Sequence, residues 1–159
     1  MITTYTTYND IRAALGVSLD DIKDSVLSLD VYSDSLTQEF EEISLDLETT
    51  YTTKSALPTP TAAETRFITA CNLFATYCVA KQLTAAMPLF AAKQLSDGKA
   101  QVSRFDNPYK DVVAQVLAQY EKARSRLLAA FAAITTTTTV SQSKSYFAVI
   151  SPSTDPVIE

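Results

Sequence analysis

The chain has no histidine and no tryptophan, and only two glycines, two cysteines and two methionines. Without His it lacks the commonest general base, the side chain that changes charge near neutral pH, and the usual imidazole metal ligand. A Ser-His-Asp triad is impossible, and neither Cys has an imidazole to activate it. Two glycines leave no room for a glycine-rich phosphate loop. No uninterrupted apolar run reaches membrane-spanning length, so no transmembrane segment is expected. The opening Met1-Ile2-Thr3-Thr4-Tyr5 has no basic stretch ahead of an apolar one, so no signal peptide is expected either, and synthesis in the cytoplasm follows. These absences argue against an enzyme and against a cofactor or a metal. The expectation is a structural or binding role.

What is present suits a single domain. The 159 residues are 47% hydrophobic and 19% charged, enough for a real core under a polar surface. The net charge of -5 conceals an asymmetry: residues 1–50 carry -9 and the remainder +4. Such a chain either pairs its acidic part with a neighbour's basic part or carries two differently solvated faces. A general nucleic-acid binder would be basic overall, and this chain is acidic.

The pattern reads as helices with punctuation. Thr7 caps a short helix through Ile11 and Leu15, and Gly16 stands where a C-terminal cap belongs. Ser18 then predicts a second helix over residues 18–27, with Asp20 and Asp21 in its first turn. Asp20, Asp21 and Asp24 fall within one turn but lack the glycine-containing loop of a calcium motif, so a solvated helix start explains them. From Asp30 one long helix is expected, because Leu36, Phe40, Ile43, Leu47 and Tyr51 recur at spacings of three and four. Residues 52–60, with Pro58 and Pro60, read as a loop.

Thr61-Ala62-Ala63-Glu64 has the form of a capping box and opens the most apolar helix. Its apolar positions run from Phe67 through Cys71, Phe74 and Cys78 to Leu83, over an arc broad enough for a central helix ending near Pro88. Cys71 and Cys78 share a face but rise about 10 Å apart, too far for a disulfide, so both read as buried thiols. Residues 93–105 read as a loop too long for a mere connector. Asn107-Pro108 then starts a last helix that turns Val113, Val116, Leu117, Tyr120, Leu127, Leu128 and Phe131 inward and Lys110, Lys122, Arg124 and Arg126 outward. This gives an all-α bundle over residues 1–134. At Thr135 a run of five threonines disfavours helix, and the apolar stretch Ser145-Tyr146-Phe147-Ala148-Val149-Ile150 follows. Residues 135–159 are therefore expected to form an extended, strand-like arm.

The order of elements resembles that of the head-to-tail connector (adaptor, or head-completion) proteins of tailed bacteriophages. The residues carrying the resemblance are Thr61-Ala62-Ala63-Glu64-Thr65-Arg66-Phe67 with Leu73-Phe74-Ala75, then Ser96-Asp97-Gly98-Lys99 and Arg104-Phe105-Asp106-Asn107-Pro108-Tyr109, and Gln119-Tyr120-Glu121-Lys122-Ala123. It covers residues 8–134 and leaves the tail outside. It implies a virion protein at the head–tail interface, forming a homo-oligomeric and typically dodecameric ring beneath the portal protein. Tail or nozzle proteins would be further partners, and genomic DNA would pass through the bore without sequence-specific binding. No membrane is involved. The alternatives are a helical protein–protein adaptor or another phage assembly factor such as a tail-terminator-type protein.

Three groups of interface residues are expected on this reading. Lys93, Lys99 and Arg104 charge the long loop and would touch a neighbouring subunit, the portal or the DNA. Glu39, Glu42 and Asp46, with Glu41 and Glu48, would face Lys122, Arg124 and Arg126 of the next subunit. Tyr146, Phe147, Val149 and Ile150 would add the arm as a strand to another chain.

Overall fold

The computed structural model describes residues 2–85, 94–96, 101–103 and 110–139, with side-chain surroundings given for 2–85 and 110–135. After a 3₁₀ turn at Ile2–Thr4, helix α1 spans Tyr8–Leu15. Both of its signals act as the sequence predicts. Thr7 Oγ1 accepts from the Asp10 N–H at 3.1 Å. Gly16 takes φ 68°, a left-handed conformation that costs glycine least, and the Val17 and Gly16 amides close onto the Arg12 and Ala13 carbonyls.

The second expected helix is much shorter than residues 18–27: α2 spans only Asp24–Leu27. Two side chains explain the difference. The Asp21 carboxylate accepts from the Ser18 N–H and hydroxyl at 2.8 and 2.7 Å, holding a local turn. The Arg12 Nε donates to the Ile22 carbonyl at 2.7 Å, occupying an acceptor that a continuing helix would need. The Arg12 guanidinium also pairs with Asp24.

The expected long helix from Asp30 is two helices, α3 Asp30–Ile43 and α4 Leu47–Ser55. At Ser44 the backbone is extended, and its hydroxyl takes the Asp46 N–H at 3.3 Å. The break leaves Leu45 81% exposed while keeping Leu36, Phe40, Leu47 and Tyr51 buried, so the apolar stripe survives the kink that the periodicity did not show. Helix α4 also carries the chain to Ser55, into the stretch expected to be loop.

Helix α5, Ala62–Thr84, opens on the predicted capping box, with Glu64 N–H to Thr61 Oγ1 at 3.3 Å and Thr61 N–H to Glu64 Oε2 at 2.8 Å. It is central: Phe67, Cys71, Phe74, Cys78 and Val79 are fully buried. Between α5 and the last helix, Gln94–Ser96 and Gln101–Ser103 pair as short antiparallel strands β1 and β2, with Leu95 opposite Val102. The segment expected to be a plain loop thus contains a hairpin.

Helix α6, Lys110–Thr139, lies antiparallel along α5, bringing Phe131 to Phe67 and Tyr120 to Phe74 at ring-centroid distances of 5.8 and 5.5 Å. Its inward arc is Val116, Tyr120, Ala123 and Leu127. Leu117 and Leu128, expected inside, are 43% and 45% exposed because each stands about 100° round the helix from a buried neighbour. The helix also runs through the threonine tract rather than stopping at Ile134. Extending an existing helix costs far less than nucleating one, and the Thr135 hydroxyl bonds the Phe131 carbonyl at 3.0 Å. The boundary of the arm moves accordingly; residues 140–159 lie outside the described residues.

Two clusters fill the core. One is aromatic, with Tyr5, Phe40, Tyr51, Phe67, Phe74 and Tyr120 around Cys71 and Cys78. The other is aliphatic, with Ile2, Ile11, Leu15, Ile22, Leu27, Leu83 and Val116. Helix α5 contributes to both.

Candidate interaction surfaces

Glu39 precedes the buried Phe40 on α3, which puts its carboxylate at the edge of the core, where α3, α5 and α6 meet. Oε1 accepts from Lys81 Nζ at 3.1 Å, and the Tyr120 hydroxyl donates to Oε2. The Lys81 ammonium stands 3.9 Å from the centre of the Tyr120 ring. Burial opposes ionisation of Glu39, but the Tyr120 and Lys81 hydrogen bonds, with the charges of Lys81 and Arg124, outweigh it and hold the carboxyl below its usual range. Burial and the same carboxylate raise the Tyr120 phenol above its ordinary value. Arg124 is half-buried, and its Nε is buried with no hydrogen-bond partner among the described residues. Glu39 and Arg124 therefore belong to a junction inside the subunit rather than to an open charged surface.

The other sequence-predicted charges divide clearly. Glu41, Glu42 and Asp46 are exposed around the end of α3 and the corner into α4. Lys122 and Arg126 are exposed on α6, four residues apart and hence on one face. Glu48 is half-buried and accepts from the Tyr5 hydroxyl at 3.1 Å, so it too is spent within the fold. Among the described residues the ion pairs are Arg12–Asp24, Lys54–Glu64 and Lys81–Glu39. Glu42 and Asp46 on one side, and Lys122 and Arg126 on the other, have no oppositely charged partner among them. Lys93, Lys99, Arg104, Tyr146, Phe147, Val149 and Ile150 lie outside the described residues.

Buried polar groups serve the fold. The Thr6 and Thr76 hydroxyls meet at 2.6 Å. The Asn72 amide is assigned with its nitrogen facing the Tyr5 carbonyl, the Ile68 carbonyl and the Tyr51 hydroxyl at 3.0, 3.2 and 2.9 Å, acceptors that share its two N–H groups. Burial pushes the Cys71 and Cys78 thiols up to about 12, which leaves them protonated and poor nucleophiles. Sequence reasoning missed Arg12 and the meeting of Lys81 with Tyr120. Arg12 adjoins the buried Ile11 in an otherwise amphipathic stretch, and that adjacency was the available signal.

Open clefts interrupt the surface of the described residues. A cleft of about 610 Å³ between the N-terminal segment and α5 is lined by hydroxyls, among them Thr3, Thr7, Thr69 and Thr76, and by Asp10 as its one carboxylate. Asp10 accepts from the Thr7 hydroxyl at 2.6 Å and faces no base there, so the cleft offers hydrogen bonds without an acid–base pair. An apolar groove of about 530 Å³ lies between α5 and α6, with Arg66 and Arg126 among its lining residues. Among the described residues no cluster of metal-ligating side chains occurs, and no helix is long and apolar enough to cross a membrane. Comparison with models of known protein families, with curated proteins and with solved structures gives no match.

Proposed function

We propose that this chain is the ring-forming subunit of a phage head-to-tail connector, seated between portal and tail and giving DNA a channel. The sequence resemblance supplies the family, and one structural observation supports the ring. The exposed acids Glu42 and Asp46 lie at the end of α3 and the corner after it, the exposed bases Lys122 and Arg126 lie on α6, and none of the four has an oppositely charged partner among the described residues. A head-to-tail interface repeated around a closed ring satisfies both sets at once. Acids left over toward the bore would keep DNA from adhering, since only basic contacts are rewarded by counterion release. The helical architecture fits this reading better than a tail-terminator-type protein built on β-rich folds.

Electron microscopy of the purified chain, alone and with the portal protein of the same genome, tests it. Closed rings bound coaxially to the portal are expected. A chain that stays monomeric with the portal, or a genome with no portal gene, overturns the proposal and leaves the helical adaptor, whose partner would use the exposed Leu117 and Leu128.

A further inference from the structure

Helix α6 packs chiefly along α5 and leaves a second stripe of its own surface exposed. Leu117, Glu121, Arg124 and Leu128 follow one another at spacings of four, three and four, which places them within an arc of about 60° and along about 16 Å of helix. The leucines at its two ends are 43% and 45% exposed. Glu121 is exposed and Arg124 partly so, and among the described residues neither makes an ion pair, although they stand one turn apart. Arg124 borders the Glu39 junction without being held by it: its charge acts on Glu39, yet its Nε has no hydrogen-bond partner.

The stripe is its own complement. Its spacing is the same in both directions, so a second α6 laid antiparallel sets one copy's Leu117 against the other's Leu128, and one copy's Glu121 against the other's Arg124, twice over. We propose that two copies of this chain pair through this stripe, antiparallel, about a two-fold axis between Lys122 and Ala123. Each leucine then leaves water against its counterpart, and two Glu–Arg pairs close the centre. Parallel pairing in register would set Glu121 on Glu121 and Arg124 on Arg124. Like charges exclude it, so the polar layer fixes direction and register. A partner of another sequence must match all four positions, whereas a second copy does so by symmetry. Four side chains from each copy make a small interface of the weak, exchanging kind. Lys122 and Arg126 stand at least about 100° away round the helix, on the side assigned to the ring. The pairing is therefore a property of the free chain and does not rest on the ring reading.

Sedimentation equilibrium of the full chain, without portal protein, tests the pairing. A reversible monomer–dimer equilibrium is expected at concentrations up to about 1 mM. Glu121→Arg should abolish the dimer, because like charges then meet at its centre, and Leu128→Asp should do the same. Both positions are exposed, so the subunit's helical circular dichroism should stay unchanged. Gln115→Arg, which adds a cation on the opposite side of α6, should leave the dimer intact. Cross-linking reads the direction. Leu117→Cys and Leu128→Cys proteins, mixed and oxidised, should join through a disulfide several-fold faster than either protein alone, while the native Cys71 and Cys78 stay buried and unreactive. A chain that is monomeric at every concentration, a dimer indifferent to Glu121→Arg, or disulfides formed as fast by either protein alone as by the mixture overturns the proposal. The ring is read only with portal present, so either reading can fail without the other.

Discussion

Phe74 touches both Phe40 and Tyr120, with ring centroids 5.6 and 5.5 Å away, and has no exposed surface. Removing a ring from such a site costs both its transfer free energy and the cavity left behind, so Phe74→Ala should destabilise the fold by about 3–5 kcal/mol. Urea denaturation measures this. A second consequence concerns acid. The hydrogen bond from Lys54, then those from Thr61, lower the Glu64 carboxyl to about 2, and Glu39 is also held down. Above the ordinary value of 4.5 both groups are ionised, folded or unfolded. As pH falls below it, the unfolded chain takes up protons before the folded one, so stability declines progressively toward about pH 2. The urea midpoint should fall across that window, and Glu64→Gln should flatten the decline. On the alkaline side the raised phenols of Tyr5 and Tyr120 act in the opposite sense. Their contribution is complete below the ordinary value of 10.0 and is lost as pH climbs above it.

The starts of α1 and α5 are each fixed by a side chain that satisfies the backbone, Thr7 in one and Thr61 in the other. The Thr61 hydroxyl and Glu64 carboxylate satisfy each other's amides at the start of α5, and Lys54 ties the same carboxylate to α4 at 2.7 Å. Thr61→Ala should therefore cost about 1 kcal/mol, read as a lower melting temperature with an unchanged helical circular-dichroism spectrum. The capping box was legible because both of its bonds are local. The kink at Ser44 and the short α2 were not. Ser44 and Asp46 allow a break but do not by themselves require one, and the Ser44 hydroxyl bonding the Asp46 N–H acts together with the seating of Leu47 in the core to select the extended backbone at Ser44. Arg12 takes the Ile22 carbonyl from ten residues away, a contact that no periodicity records.

At the scale of the whole molecule, charge divides between groups paired inside the subunit and exposed groups with no oppositely charged partner among the described residues. Exposed ion pairs are worth only about 0–1 kcal/mol each, so a ring held by Glu42, Asp46, Lys122 and Arg126 must draw on repetition. Assembly should weaken as salt rises, because the Debye length shrinks below the reach of such contacts. Reversing Lys122 and Arg126 to Glu should abolish rings, and reversing Glu42 and Asp46 to Lys in the same protein should restore them. Light scattering or mass photometry reads both outcomes. Glu39 belongs to a different experiment. Its partners Lys81 and Tyr120 are intramolecular, so Glu39→Gln should lower the melting temperature of the subunit itself.

The sequence by itself determined the helical class, the first helix from Thr7 to Gly16, the capped start of α5, and the burial of Phe67, Cys71, Phe74 and Cys78. Each of these depends on signals within one or two turns, and neighbours in sequence are enough to specify them. Only the tertiary structure decided which of the many acids are paired among the described residues. Glu39 and Glu42 differ by three positions and look alike in sequence, yet one meets Lys81 and Tyr120 while the other faces solvent. That choice follows from the rotation of α3 against α5 and α6, which the packing of Leu36 and Phe40 fixes. The inward set of α6 was settled in the same way. Val116, Tyr120, Ala123 and Leu127 make a narrow seam because α6 packs chiefly along the one central helix α5, and Leu117 and Leu128 are left outside it.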